Sequence, residues 1–276
     1  MSELLAPLRR LNRVRLYRRA ARKRQALADA QIADMSEQKI SEILGLMRRF
    51  SPLDVGVQLV RIGPEGDGGY LVPDDLEGIG ALYSPGVSDT TGFDSDIANR
   101  GIPCHLADGT VDVPEALGGK MTFEKIMVAG TTRPGFTSMA DWVNRRGPSV
   151  GDLLLQMDIE GAEYEVISVM DPDLIRRFRI MIFELHDVVG KLLNDRASLS
   201  AFLDKLQADH VLCHLHPNNA SPPVRLLGQN VPDLIEVTFL RRDRATPAGE
   251  ARYPHPQDQR NNGIFPEPPA DRFWAV

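Results

Sequence analysis

The sequence predicts an α/β protein with a doubly wound sheet of seven mostly parallel strands, an antiparallel edge and an N-terminal helical extension. From residue 80 onward, short apolar segments alternate with helix-like segments, which is typical of parallel strands joined by crossover helices. The last two apolar segments form a strand pair, which predicts the antiparallel edge. The run LLLQM at residues 153–157, bounded by Gly151 and Gly161, indicates a central strand that is covered on both faces.

Composition limits the class of protein. A chain of 276 residues can bury a large core. It contains no apolar run near the roughly 20 residues that span a bilayer, and its N-terminus lacks the apolar segment of a signal peptide. Its two cysteines, Cys104 and Cys213, are too few for a disulfide framework. We therefore expect a cytoplasmic protein, with peripheral membrane attachment as an alternative.

That alternative comes from the first 25 residues, which contain nine of the 32 basic residues and one of the 38 acidic ones. The acidic remainder argues against nucleic-acid binding. We expect residues 1–34 to form a basic helical or disordered extension that either contacts anionic lipid or a partner through residues 1–25, or remains solvated. The short apolar stripe of Leu4, Leu8 and Leu11 favours a solvated arm.

The elements of the body follow in order, with a domain expected over residues 35–245 and an extended tail, residues 246–276, packed on it. Residues 36–50 predict a helix capped by Ser36, and the glycine-rich stretch 61–73 predicts either a plain hairpin or a binding loop. Further helices are predicted at 91–100, 139–146, 162–170 and 198–208. The seven strands are expected near residues 81–84, 102–107, 122–128, 153–157, 179–183, 211–216 and 235–240.

The first two strands and the helix between them suggest a nucleotide site. The first strand ends in a turn containing Ser84, Gly86 and Asp89, and the second ends in Asp108, about 20 residues later. A glycine lets a cofactor approach the backbone, and an acid at this position accepts hydrogen bonds from ribose hydroxyls. The dinucleotide pattern G-x-G-x-x-G is absent, so a nucleoside without a pyrophosphate fits better.

The later strand ends carry acids and histidines. Asp158 and Glu160 follow the central strand, Glu184 and His186 end the next, and His214 and His216 end the sixth. Ligands bind at the carboxyl edge of such sheets. These side chains are therefore candidate acids, bases or ligands, although His214 and His216 also suit a purely structural role at the sheet edge.

Several blocks resemble known methyltransferases. The segment LLLQMDIEGAEYEVI resembles the Asp-x-Glu-Gly-x-Glu signature of FkbM-type methyltransferases. RIGPEGDGGYLVPDDL, LYSPGVSDTTGFDSDIA, IFELHDV, HLHPNN and VPDLIEVTF resemble blocks of a related methyltransferase-like group in the same order. The resemblance covers roughly residues 58–245. It implies a Rossmann-like class I fold, S-adenosylmethionine as cofactor, and methylation of an oxygen on a sugar or small metabolite.

The resemblance also implies roles for individual residues. Ser84, Gly86 and Asp89 would lie along the methionine part of the cofactor, Asp108 would bind the ribose, and Asp158 would lie near the sulfonium. An alcohol acceptor needs a base or a metal ion to activate it. The expected catalytic residues are therefore Asp158, Glu184, His186 and His214.

A Mg²⁺ or Mn²⁺ ion held by Asp158, Glu184 and His186 is a further expectation, with a solvated acidic rim that holds no ion as its alternative. Two other functions stay open at this point. One is an NAD(P)-dependent sugar-modifying enzyme, against which the missing glycine triplet speaks. The other is a non-catalytic nucleoside-binding domain. The sequence does not distinguish between a sugar, a peptide and a lipid head group as the acceptor.

Overall fold

The computed structural model describes residues 6–87, 90–115 and 117–276. Within these ranges the α-helices α1 to α8 span Ala6–Ala33, Glu37–Arg48, Gly92–Asn99, Met139–Arg146, Glu163–Val169, Pro172–Arg177, Val188–Asn194 and Arg196–Asp209. The strands β1 to β13 span Leu59–Ile62, Tyr70–Pro73, Ile79–Pro85, Cys104–Ala107, Met121–Glu124, Met127–Val128, Phe136–Thr137, Asp152–Met157, Phe178–Leu185, His210–Pro217, Val224–Leu226, Gln229–Val231 and Ile235–Arg241.

The main sheet has seven strands in the order β10-β13-β9-β8-β3-β4-β5. Five adjacent strands run parallel to one another, namely β9, β8, β3, β4 and β5. Strand β13 runs antiparallel to both β9 and β10. The predicted Rossmann-like α/β class is confirmed, and the antiparallel strand lies one position in from the edge.

The central strands are buried because helices and loops cover both faces of the sheet. Leu153, Leu154 and Leu155 of β8 are fully buried, and alternate side chains belong to two different apolar clusters, one on each face. This explains why β8 is a nearly continuous apolar run rather than an alternating pattern. The parallel registers bring the carboxyl ends of β3, β4, β8 and β9 to one edge.

Two local expectations are settled by hydrogen bonds. The hydroxyls of Ser36 and Ser138 accept from backbone N–H groups in the first turns of α2 and α4, so both predicted caps are confirmed. The strand expected at 122–128 is interrupted, and this prediction was wrong in its extent. The backbone N–H of Ile126 turns back to the carbonyl of Glu124, and residues 127–128 then pair with β7 instead.

The two chain ends lie on the body. Helix α1 contacts β11, and the ring of Tyr17 stacks on that of Phe265 with 4.5 Å between their centroids. At the other end, the side chains of Phe273 and Trp274 are buried, and Phe273 packs against Phe50 of the loop after α2. In the part of the chain that the structure describes, no helix combines the length and the apolar character needed to cross a bilayer.

Candidate functional site

A small cavity of about 50 Å³ opens at the carboxyl edge of the sheet. Its walls come from the ends of β3, β8 and β9, from the start of α3 and from the turn between β1 and β2. Four acids line it, namely Asp67, Asp94, Asp158 and Glu184, together with the uncharged polar side chains of Tyr70 and Gln156. The glycine-rich turn therefore forms a hairpin that also lines the site.

Gly86 determines how closely two strand ends approach. Its φ is +87°, and a Cβ built on it would lie 1.5 Å from the carbonyl oxygen of Asp158. The backbone N–H of Asp158 donates to the carbonyl of Pro85 across 3.1 Å. From the sequence, we expected Gly86 to let a cofactor approach the backbone. The contact with Asp158 is a separate, intramolecular reason for it, because any side chain here would push β3 and β8 apart.

Four side chains meet where β8 and β9 end, and we call Asp158, Glu160, Glu163 and His186 the rim group. The Nε2 atom of His186 lies 3.8 Å from Asp158 Oδ1 and 3.4 Å from Glu160 Oε2. On its other side, Nδ1 lies 3.4 Å from Glu163 Oε1. The imidazole is thus enclosed by three carboxylates and keeps 19% of its side chain exposed.

Glu163 is the fixed member of the rim group. Its side chain is fully buried, and Oε1 accepts from the backbone N–H groups of Ile159 at 2.9 Å and Gly161 at 3.3 Å. These bonds hold a turn in which Glu160 takes a left-handed φ of 56°. The sequence motif predicted an acid here without a role. In the structure it joins the turn after β8 to His186.

Burial and mutual repulsion alter the protonation of the rim group. Burial, with the neighbouring carboxylates, raises the pKa of Asp158 to about 7, although His186 offsets part of the rise. Burial by itself would lower the pKa of His186, but Glu163, Asp158 and Glu160 together raise it above its usual value. Shifted pKa values of two adjacent groups are typical of sites that carry out general acid–base chemistry.

Two carboxylate oxygens at the cavity lack partners. Asp94, at the start of α3, is 3% exposed, and its Oδ1 has no hydrogen-bond partner among the described residues. The same holds for Oδ1 of Asp158. Burial raises the pKa of Asp94 to about 6. Unpaired buried carboxylates are costly, so this cavity favours a positively charged occupant. Asp94 was not among the site residues predicted from the sequence. The one indication was that an acid lies on the buried face of a helix.

A row of buried polar residues crosses the sheet beneath the cavity. The hydroxyl of Ser84 donates to Gln156 Oε1 at 2.7 Å, and Gln156 Nε2 donates to the hydroxyl oxygen of Tyr70 at 3.2 Å. Ser84 is completely buried, and its hydroxyl supports the cavity floor. A position of Ser84 along the methionine part of the cofactor stays a prediction.

Glu184 lies at the end of β9 in the same row. It accepts from Asn218 Nδ2 at 3.0 Å, and its pKa is raised well above the usual value by burial and by Asp158. It therefore carries a proton under conditions in which an exposed acid would be charged.

The remaining expected cofactor residues lie elsewhere or outside the described chain. Asp108 follows β4 beside the end of β3, and its carboxylate accepts from the backbone N–H and the hydroxyl of Thr110. It belongs to the same edge of the sheet but does not line the cavity. Asp89 falls between the described ranges 6–87 and 90–115, so its prediction lies outside the described residues.

A second cluster is closed by the C-terminal tail, and we call His214, His216, Glu236, Asp258 and Asn261 the tail-covered group. His214 Nε2 lies 2.8 Å from Asp258 Oδ1, and His216 Nε2 lies 3.2 Å from Asn261 Oδ1. Neither histidine lines the cavity. The ring of His214 is buried and bonded to the tail, which fits the structural alternative, and its catalytic role stays a prediction.

The expected metal ligands are divided between two places. Asp158 and His186 have ligand atoms within 4.8 Å of each other and of Glu160, whereas Glu184 groups with Asp67 and Glu236. In the second set, the amide of Asn261 already donates to both Asp67 and Glu236. The first set, backed by Glu163 behind the imidazole, has the outer carboxylate that commonly orients a metal-binding histidine. The set predicted from the sequence therefore needs Glu160 in place of Glu184.

Comparisons with known proteins agree with the sequence motif. Residues 100–208 match a family model described as the methyltransferase FkbM domain. This segment contains Asp108, the rim group and Glu184. A search of curated proteins finds no match to the chain.

Among solved structures, the chain is similar to a protein from Klebsiella pneumoniae that is assigned as an O-methyltransferase. The identity is 11%, the match covers 80% of this chain and 99% of that one, and the TM-score is 0.32. A structural similarity with this TM-score carries no argument about the function of this chain. The FkbM match over residues 100–208 carries the methyltransferase assignment, and the seven-stranded sheet is consistent with it.

Proposed function

We propose that this chain, a methyltransferase that carries an FkbM domain over residues 100–208, transfers a methyl group from S-adenosylmethionine to a hydroxyl oxygen of a sugar or other small metabolite. The single observation that carries the proposal is the acidic cavity. It joins the Gly86 turn to Asp158 at the carboxyl edge and contains two carboxylate oxygens that have no hydrogen-bond partner within the described part of the chain.

The fit of this cavity to the cofactor rests on charge. S-adenosylmethionine supplies an activated methyl group on a positively charged sulfur, next to an ammonium group. Asp94 and Asp158 are the residues suited to hold these charges, since each has a buried oxygen that no described residue hydrogen-bonds. The cavity of about 50 Å³ accepts only a small part of a ligand, so the nucleoside belongs outside it, toward Asp108. Asp108 is suited to accept bonds from ribose hydroxyls.

The proton of the acceptor hydroxyl is the task of the rim group. Nε2 of His186 and Oδ1 of Asp158 face each other across 3.8 Å, the pKa of Asp158 is raised to about 7, and the neighbouring carboxylates raise the pKa of His186. Whichever of the two is unprotonated takes the proton as the oxygen attacks. Glu163 holds the imidazole in place by its contact with Nδ1, and burial and Asp158 raise the pKa of Glu184. Since the two groups interact, they titrate as a pair.

A divalent ion is the alternative way to activate the hydroxyl. Asp158, Glu160 and His186 are the residues suited to hold Mg²⁺ or Mn²⁺, because they combine carboxylate and imidazole ligands within 4.8 Å. The ion would lower the pKa of a bound hydroxyl and make a protein base unnecessary. Full activity after extensive treatment with EDTA would exclude this alternative and leave the Asp158–His186 pair as the proton acceptor.

Calorimetric titration tests the cofactor. We expect S-adenosylhomocysteine to bind and NAD not to bind. Replacing Asp108 by Ala should weaken binding about tenfold to a hundredfold, because hydrogen bonds to a charged group are lost. Asp112→Ala, which removes an exposed acid a few residues further on, is the matched control and should leave the affinity unchanged. Binding of NAD instead, or equal affinity of the Asp108→Ala variant and wild type, would contradict the proposed site.

A screen with labelled S-adenosylmethionine tests the acceptor class. Purified chain is incubated with sugars, nucleotide sugars and small alcohols, each beside an analogue in which the candidate hydroxyl is absent. Label should appear only in acceptors that keep this hydroxyl. Transfer to amine acceptors in preference to hydroxyls would refute oxygen as the target while leaving the cofactor assignment intact.

A further inference from the structure

Helix α1 presents a strongly basic surface to solvent. The exposed cations of this helix include Arg15, Arg18, Arg19, Arg22 and Lys23. Within residues 6–87, 90–115 and 117–276, none of these five side chains takes part in an ion pair or a hydrogen bond to another residue's side chain. We call these five residues the basic face.

The basic face lies on the side of α1 that points away from the body. The opposite side is fixed by contacts, since Ala28 is 1% exposed, Tyr17 stacks on Phe265 and the side chain of Gln25 bonds to the backbone of Arg225. With 3.6 residues per turn, residues 15, 18, 19, 22 and 23 fall on the remaining surface. Docking of α1 on the body therefore leaves all five charges available.

This arrangement is unfavourable for the isolated protein. Arg15 with Arg19, Arg18 with Arg22 and Arg19 with Lys23 are like charges four residues apart on one helix, a spacing that destabilises it. Among the residues that the structure describes, Arg24, at the edge nearest the body, is the only cation of α1 in an ion pair, with Asp233 at 2.8 Å. A negatively charged partner would remove this repulsion, and without one the helix is held by its contacts with the body.

Two exposed leucines indicate which anionic partner fits. Leu11 and Leu16 are 66% and 56% exposed and flank the arginines along the same helix. Arginines mixed with exposed leucines suit a lipid surface, where the cations meet head groups and the leucines enter the acyl boundary. A nucleic acid offers nothing to the leucines, and its phosphates would meet the acidic body of this chain.

We propose that the basic face, with Leu11 and Leu16, docks this protein on a membrane surface rich in anionic lipid. The attachment is peripheral and reversible. It needs no catalytic turnover, so it stands or falls separately from methyl transfer.

Vesicle flotation of the full chain tests the proposal. The protein should float with vesicles of phosphatidylcholine that contain phosphatidylglycerol, and stay behind with phosphatidylcholine alone. Each cation near such a surface contributes about fivefold in affinity. The variant R15Q/R18Q/R19Q/R22Q should therefore bind several hundredfold more weakly, on the order of the product of four such factors. Gln keeps a similar helix propensity, and circular dichroism checks that α1 remains formed.

The matched control removes the same charge elsewhere. The variant K39Q/R100Q/K120Q/R252Q neutralises four exposed cations outside α1 and should float like wild type. The variant L11A/L16A should lose about tenfold in affinity, because two apolar side chains no longer enter the lipid. Equal flotation of wild type and the arginine variant, an equal loss in the control variant, or tighter binding to duplex DNA than to the anionic vesicles would each overturn the proposal.

Discussion

The rim group and the tail-covered group contain the same kinds of residue and differ in what surrounds them. In the tail-covered group, Asp258 and Asn261 lie against the rings of His214 and His216. In the rim group the carboxylates come no closer than 3.4 Å to the imidazole of His186, and Asp158 keeps an oxygen without a partner among the described residues. One cluster is satisfied by the chain itself, and the other has atoms that suit a ligand.

This difference shows that residue type does not identify a catalytic centre. Asp258 and Asp158, the acids beside the histidines in the two groups, have opposite electrostatic behaviour. The pKa of Asp258 is held well below its usual range by His214 and His216 despite burial, which indicates a stabilising interaction. The pKa of Asp158 is raised to about 7, because burial and the neighbouring carboxylates outweigh the effect of His186. A stabilising interaction strengthens the fold, whereas a carboxylate whose burial is only partly compensated costs stability and remains reactive.

The largest effect on stability and binding is expected from Gly86→Ala, which displaces the backbone of Asp158 in the rim group. Its Cβ would collide with the carbonyl of Asp158, and the left-handed φ of +87° adds strain. We expect a loss of more than about 4 kcal/mol in the free energy of unfolding, together with loss of S-adenosylhomocysteine binding. Gly135→Ala is the control, because it has a φ of +80° and no atom within 4 Å of its Cβ. Urea unfolding of Gly135→Ala should show a loss of only about 1 kcal/mol in the free energy of unfolding. Equal losses in the two variants would mean that the contact between Gly86 and Asp158 is not the cause.

Asp158→Asn and Asp258→Asn should separate function from stability. The first removes a carboxylate whose burial is only partly compensated, so methyl transfer should fall about 10²- to 10⁴-fold while stability at pH 8 does not fall. The second breaks a buried pair and should cost about 3–5 kcal/mol of unfolding free energy. Initial rates with the acceptor found by screening and urea unfolding provide the two measurements. If both variants lose stability alike, the two groups do not differ as we describe.

The tail-covered group should also make stability depend on pH. Burial would lower the pKa of His216, but Asp258 and Glu236 raise it to about 9, above the unfolded value of 6.5. Because the folded pKa is the higher one, this stabilisation is complete below pH 6.5 and disappears as the pH rises through about 9. It amounts to at most about 3 kcal/mol. Urea unfolding between pH 6 and pH 10 should show a decline that His216→Gln abolishes; an unchanged slope would argue against the ion pair.

The smallest effect concerns the orientation of His186. Glu163→Gln keeps an oxygen acceptor for the backbone N–H groups of Ile159 and Gly161 but removes the charge beside Nδ1. The pKa of His186 should fall, because the loss of a nearby negative charge makes the protonated ring less favourable. Titration of the imidazole by NMR measures this without an acceptor. Glu160→Gln, whose side chain is 86% exposed, should change it less. If the pKa of His186 changes more in Glu160→Gln than in Glu163→Gln, then Glu160 and not Glu163 orients the imidazole.

Much of the fold was readable from local patterns. Strand β8 is recognisable because burial on both faces requires an apolar run, and the Ser36 and Ser138 caps are recognisable because a hydroxyl must meet free N–H groups. The motif after β8 likewise placed Asp158 and Glu160 at the correct edge. These features depend on residues near one another in the chain, so the sequence contains their cause.

What only the tertiary structure decided is the environment of each polar group. Asp258 and Asn261 come from a tail about 45 residues beyond the histidines that they cover, and no local pattern links them. Asp94 and Gln156 are set in helix and strand patterns that predict apolar neighbours, and their cavity forms only when α3, β8 and the hairpin meet. The amino-acid sequence by itself determined which strands end in acids and histidines. Packing decided which of those are neutralised, because desolvation and pairing depend on atoms that are close in space and distant along the chain.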